Sequence, residues 1–379
     1  MSHGVSGPPP EEVTRRAESR RLSDGRDMTP AVGTRGSAGA WRRAGEKVAL
    51  FREHFGDARW SYLYDKGTGY ADGSTDGVAA AAKAARGGTE VPVEVRGPMI
   101  NSAIWTWEVP AYFWFGGMAT GSSFVAIACD AVGDHEAAAV ARKVALGAVL
   151  PGAPLLIMDL GRPARFLNML RIFKTRSPMS MGAWCLSAFS ATASGAVAAD
   201  LLGQRRLAQG AGAATALLGT YLGSYTGVLL ASTATPLWAR SRALLPPIFI
   251  CTAAASGAAA NRLILTAAGR PAGDPARAAL AGVETAAMVG ELVLSKLNER
   301  RLGPLAHRLE EHRYYKAATW GVRLGLALRA LGRRLGPVPE HLASAIFLVA
   351  ALGYRLAWVQ AGQRSARDDE DVAAMARRP

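Results

Sequence analysis

Apolar residues come in long blocks along this chain, not in the short alternations of a soluble fold. From residue 97 onward such blocks fall near 108–130, 139–159, 180–202, 207–231, 243–268, 278–296, 315–332 and 340–361. Each is close to the roughly 20 residues that an α-helix needs to cross a hydrocarbon core. The pattern predicts an all-α polytopic membrane protein with about eight transmembrane helices. The first, second, fourth and eighth blocks are the clearest. The third and fifth, with "SAFSATASGAVAA" and "CTAAASGAAA", are dense in small residues, which suits close helix packing in lipid. In the first block Gly117 and Gly121 stand at the spacing of a helix contact face; ordinary flexible packing explains them equally well. The seventh contains Arg323 and Arg329 and competes with a helix lying along the membrane interface.

The mean hydropathy of +0.09 is low for a membrane protein because it averages two unlike regions. Residues 1–96 hold 15 Lys/Arg against 13 Asp/Glu and no sustained apolar run, which predicts a polar, partly disordered N-terminal extension. Residues 97–362 form the expected transmembrane domain, and 363–379 a charged C-terminal tail. The paired arginines of "TRRAESRRLSDG" are followed by no apolar segment, so the first membrane helix is expected to direct targeting. The net charge of +14 sits between apolar spans. No basic stripe with interleaved aromatics stands outside them, and a nucleic-acid partner is excluded on that ground; the basic loops suit membrane lipid. Eight crossings put both termini on one side. The loops sharing that side carry the larger share of Lys/Arg, which assigns it to the cytoplasm.

The histidines are His3, His54, His135, His307, His312 and His341. All lie in tails, loops or at the end of a span, so no pair can ligate a membrane haem. Cys129, Cys185 and Cys251 fall in apolar stretches without a CxxC; they read as small buried hydrophobes, and no metal site is expected.

Other polar groups meet at one depth. The first span opens with "NSAIWTWEVPAYFWFGG", the second ends at Asp159, and the fourth runs through "GTYLGSYTGVLL". Asn101, Trp105, Trp107, Glu108, Asp159, Arg162, Tyr221 and Tyr225 therefore approach one membrane face. Glu108 or Asp159 alone is equally well a boundary marker. Acids, an arginine and a tyrosine beside aromatic rings can together hydrogen-bond a quinone carbonyl and exchange its protons. Deeper in the fifth and sixth spans lie Arg262, Glu284 and Glu291, the two glutamates two helical turns apart on one face. Ionisable groups at that depth suggest a proton path; the plainer reading is an Arg–Glu pair that fixes helix packing.

Between the second and third spans runs "DLGRPARFLNMLRIFKTRSPMSMG", with Arg162, Arg165, Arg171, Lys174 and Arg176 and no acid after Asp159. Pro163 and Pro178 interrupt helix formation, which predicts a short structure at the membrane surface where Asp159 and Arg162 can pair. The remaining cations suit an acidic partner or lipid phosphates.

This segment closely resembles the loop after the second helix in NrfD/PsrC-like membrane subunits of polysulfide reductase-type complexes. The resemblance extends from about Trp105 to Gly362 and includes "WTWEVPAYFWFGGMATGSS", "YTGVLLASTATPLW" and "LPPIFICTAAASGAAA". It implies a haem-free anchor of two four-helix bundles in a respiratory chain. Such a subunit exchanges electrons between menaquinone or ubiquinone and a ferredoxin-like iron-sulfur subunit, which serves a molybdopterin catalytic subunit. It further implies a quinone pocket formed by the region Asn101–Glu108 and by Tyr225. A histidine found at the first-helix site in some members is absent, and Glu108 is the candidate to replace it. With no redox centre in this chain to bridge a gap, the pocket is expected near the cationic loop.

The resulting expectation is a quinone-reactive membrane anchor of an oxidoreductase complex. Glu108, Asp159 and Tyr225 would do the chemistry, with Asn101, Trp105, Trp107, Arg162 and Tyr221 around the ring. The alternatives are a secondary transporter using Glu284 and Glu291, or a passive assembly anchor.

Overall fold

The computed structural model describes residues 100–159, 169–175, 177–368 and 371–372. The chain divides into Met1–Gly97 and Pro98–Pro379, and every described residue belongs to the second unit. The predicted N-terminal extension lies outside the described residues, as do Arg162, Pro163, Arg165 and Arg176 of the cationic segment.

Among the described residues there is no strand. The helices are α1 (Glu108–Ala131), α2 (His135–Val149), α3 (Gly152–Asp159), α4 (Pro178–Leu201), α5 (Arg205–Ala231), α6 (Pro236–Arg240), α7 (Leu245–Ala267), α8 (Pro275–Leu302), α9 (Ala306–Glu310), α10 (Arg313–Leu335) and α11 (Pro337–Arg367). Each expected apolar block falls on helix. Pro151 divides the second block between α2 and α3. Pro178 opens α4, as expected of a residue that ends one helix and can start the next. Ser177 caps α4, its side chain accepting from the Ser180 amide; Asp134 and Asp274 cap α2 and α8 in the same way.

Five stretches are long and apolar enough to cross a membrane: His135–Asp159, Arg205–Ala231, Leu245–Ala267, Pro275–Glu310 and Pro337–Arg367. They leave Leu217, Ile264, Val293 and Val349 exposed, an arrangement that suits lipid and not water. The protein is a multi-pass membrane protein. α1, α4 and α10 have 24, 24 and 23 residues and are therefore long enough. Gly, Ser and Thr dilute the apolar character of α1 and α4, and arginines that of α10. For α1 this differs from the expectation of a clear span, because its small polar residues serve helix contact.

α1 packs against α2 and α5, and α4 against α5 and α2; α7 packs against α8 and α11, and α10 mainly against α11. The two groups join where α1 crosses α7. Main chains touch there: a Cβ on Gly121 or on Gly257 would overlap the backbone of the other helix. Gly117 faces Ala253 on the same seam, at 3.6 Å from a built Cβ, so the four-residue glycine pair is a contact face.

The two ends of the bundle differ. The turns between α1 and α2, α4 and α5, α7 and α8, and α10 and α11 each contain a glycine at positive φ, namely Gly133, Gly203, Gly269 and Gly336. Arg142 clamps this end, donating to Asp200 at 2.6 and 2.8 Å and to Asp130 at 2.6 Å, which ties α1, α2 and α4 together. The longer connections lie at the other end, with the candidate site.

Candidate functional site

At the long-loop end, Trp105 precedes α1 and stacks on Trp238 of α6, ring centroids 5.4 Å apart. Trp238 is fully buried; its indole donates to the Trp358 carbonyl at 2.8 Å, and its ring lies on Gly362. Gln363 of α11 donates to the carbonyls of Ala103 and Trp105 at 2.9 and 2.6 Å. The approach to α1, the α5–α7 connection and the exit from α11 are thus fastened at one end. Trp105 belongs to this fastening.

Glu108 opens α1 and accepts from the Thr106 hydroxyl. Asp159 closes α3, and Glu108 is its charged neighbour. Tyr112, one turn after Glu108 on the same face, contacts Gly152 at the start of α3; a Cβ there would stand 3.5 Å from its ring. The antiparallel α1 and α3 therefore hold the two carboxylates towards the loops and Tyr112 further in.

Tyr225 of α5 is buried and stacks on Tyr221, centroids 5.9 Å apart. Its titratable neighbours are Tyr112, Tyr221 and Cys185, and Cys185 donates to the Leu218 carbonyl at 3.5 Å. Its phenol lies directly on Gly182, the last residue of the cationic motif. Neither the Tyr225 nor the Tyr112 hydroxyl has a hydrogen-bond partner among the described residues. In low dielectric such hydroxyls call for a polar ligand.

The structure thus gathers Glu108 with Asp159, and Tyr221 with Tyr225, on neighbouring helices. Asn101 and Trp107 are exposed and join neither group. The expected Asp159–Arg162 pair falls outside the described residues. Three participants went unnoticed in the sequence: Tyr112, signalled only by its i+4 spacing from Glu108; Gly182, a small residue among many; and Trp238, which no local pattern distinguishes.

The family model described as "Polysulphide reductase, NrfD" matches residues 97–297. The chain belongs to the NrfD polysulphide reductase family. NrfD proteins are membrane subunits of oxidoreductase complexes. The matched stretch contains Glu108, Tyr112, Asp159, Gly182 and Tyr225, and ends within α8; α10 and α11 follow it. No curated protein matches the chain.

In this NrfD chain, Arg262, Glu284 and Glu291 are all buried but do not form one unit. Arg262 pairs with Glu340 and donates to Ser344 Oγ at 3.1 Å. Glu284 pairs with Arg329 and accepts from Ser344 at 2.8 Å. The plainer reading, an Arg–Glu pair that fixes helix packing, thus takes the form of two such pairs that share Ser344. The partners come from α10 and α11, which packing places beside α7 and α8. Among the described residues Glu291 has no ion pair. It accepts from Ser295 at 2.8 Å, and the same hydroxyl contacts Tyr354 at 2.6 Å. Arg355, also buried, lies over the Phe249 ring at 3.6 Å and donates to Thr252 and Thr226 at 2.7 and 3.4 Å. Thr226 is the neighbour of Tyr225 in the chain.

Proposed function

We propose that this chain is the quinone-reactive subunit of its complex, with all eight long helices crossing the membrane and both chain termini on one side, the cytoplasmic one by the charge of the loops. The observation that carries this reading is the Tyr225 phenol, buried, without a hydrogen-bond partner among the described residues, and seated on Gly182 at the end of the cationic segment. A quinol, menaquinol or ubiquinol, supplies two electrons and two protons. Tyr225, with Tyr112 as a neighbour, offers the hydrogen bond that orients a ring oxygen. Tyr221 provides an aromatic wall. Glu108 and Asp159 lie at the membrane edge, where a carboxylate accepts a proton and passes it to water. The electrons pass to a ferredoxin-like iron-sulfur subunit docked on the cationic loop and from there to a molybdopterin subunit. Electron flow in the reverse direction uses the same groups.

The test is Tyr225→Phe in the complex isolated in mild detergent. Loss of one buried hydrogen bond to a polar ligand predicts a fall of about 10- to 100-fold in quinone-linked turnover, with the partner subunits, iron and quinone still co-purifying. Unchanged turnover, or isolation of wild type as an iron-free and quinone-free single chain, defeats the proposal.

A further inference from the structure

Lys316, Trp320 and Arg323 of α10 are spaced so as to share one helix face. That face looks into a cleft of about 460 Å³ between α8 and α10, which Glu291, Lys296 and Glu299 also line. Three acids line the cleft: Glu299 accepts from Lys296 at 2.6 Å and from Tyr315 at 2.5 Å, Glu291 accepts from Ser295, and the exposed Glu310 stands 3.9 Å from Lys296. Lys316 and Arg323 have no carboxylate partner among the described residues.

Arg323 stands ten residues into α10, about 15 Å along the axis, which is about half of a hydrocarbon core roughly 30 Å thick. Its guanidinium lies 5.2 Å from the Trp320 ring centroid. It is directed back towards the start of the helix, as helical side chains are, and so towards Lys316. Trp320 itself is 66% exposed. A cation at this depth is costly unless it is paired, hydrogen-bonded or able to reach water. The groups present fit an amphiphile with a phosphate head: Lys316 and Arg323, which lack a carboxylate partner among the described residues, an indole beside them, and the exposed side chains of Val293 and Leu324 for the tails.

We propose that the α8–α10 cleft binds an anionic phospholipid, its phosphate held by Lys316 and Arg323 and its acyl chains running along Trp320. The site is separate from the tyrosine cluster. It rests on the reading that α10 crosses the membrane beside α11, not on quinone chemistry.

The experiment is tryptophan quenching of the full chain in vesicles that contain dibrominated phosphatidylglycerol or dibrominated phosphatidylcholine at equal mole fraction. Wild type is expected to show several-fold stronger association with the brominated anionic lipid. That excess should vanish in Trp320→Phe and in Lys316→Gln/Arg323→Gln, and persist in Lys316→Arg/Arg323→Lys. Equal quenching by the two lipids, or an excess that survives the glutamine pair, overturns the proposal. So does an excess erased by inorganic phosphate, which would assign the cations to a free anion. If the glutamine variant does not fold, Trp320→Phe against wild type decides the same question. A Trp320 contribution quenched by neither lipid would instead overturn the proposal by showing that α10 does not face the bilayer.

Discussion

The Tyr225 phenol lies across the bare Cα of Gly182, so that any β-carbon at position 182 would occupy the ring and its hydroxyl. Absence of a side chain is what brings α4 and α5 close enough to seat the tyrosine. Gly182→Ala should therefore displace the ring, at about 1–3 kcal/mol of stability. Quinone-linked turnover should fall at least as far as in Tyr225→Phe. Thermal unfolding together with turnover of the assembled complex checks this. An alanine variant with wild-type turnover would show that the position of the phenol is unimportant.

Glu284 and Glu291 should respond differently to neutralisation. Glu284→Gln leaves Arg329 buried without its carboxylate and should cost about 3–5 kcal/mol. Glu291→Gln keeps a hydrogen-bonding side chain beside Ser295 and Tyr354 and orphans no directly paired cation, so its loss should stay near about 1 kcal/mol. Unfolding of both variants in one detergent decides the matter; equal losses would refute the distinction.

Arg142 is 4% exposed and serves two aspartates on two other helices. Arg142→Ala should destabilise the protein by about 3–5 kcal/mol. Arg142→Lys should recover only part of this, since an ammonium cannot reproduce the forked contact with Asp200. Full recovery by lysine would mean that charge alone matters at this site.

A pH effect is expected at the turn between α1 and α2. Arg270 grips Asp134 at 2.7 and 3.0 Å and holds its carboxyl below the usual range. A depressed carboxyl contributes its stability above the unfolded-state value and loses it as pH falls through the folded-state value. Both groups are partly exposed, so the contribution is about 1 kcal/mol or less. Wild type should exceed Asp134→Asn by a constant margin from neutral pH down to about pH 5, and the margin should close in stronger acid. A margin independent of pH throughout would assign the effect to capping of α2 alone.

The helices were legible in the sequence because apolar blocks of membrane length are delimited by glycine, proline and capping residues. Glu108, Asp159 and Tyr225 stood out as polar groups at span ends or within apolar runs. The pairing of buried charges did not. Periodicity gives the face a residue occupies, but not which helix covers that face, so Glu340 and Arg329 could not be named as the partners of Arg262 and Glu284. Arg329, which weakened the seventh span in the sequence, proves to be the counter-charge of Glu284. Asn101 and Trp107 precede the first residue of α1, and no helical face directs them inward. Gly182 could not be read at all, since its part consists of leaving room for a side chain 43 positions further along the chain.

The Gly121–Gly257 crossing has a mechanical consequence. With main chain against main chain there is no cushion of side chains to shear, and a shift of one helix along the other would drive a β-carbon into its neighbour's backbone. The seam behaves as a rivet, not a sliding bearing. Any signal between Tyr225 and Glu291 must then cross with the helices at rest, by rotation of side chains and exchange of hydrogen bonds. Arg355 spans that seam: it donates to Thr226 beside Tyr225 with one nitrogen, and with another to Thr252, which shares a small internal cavity with Glu291 and Tyr354.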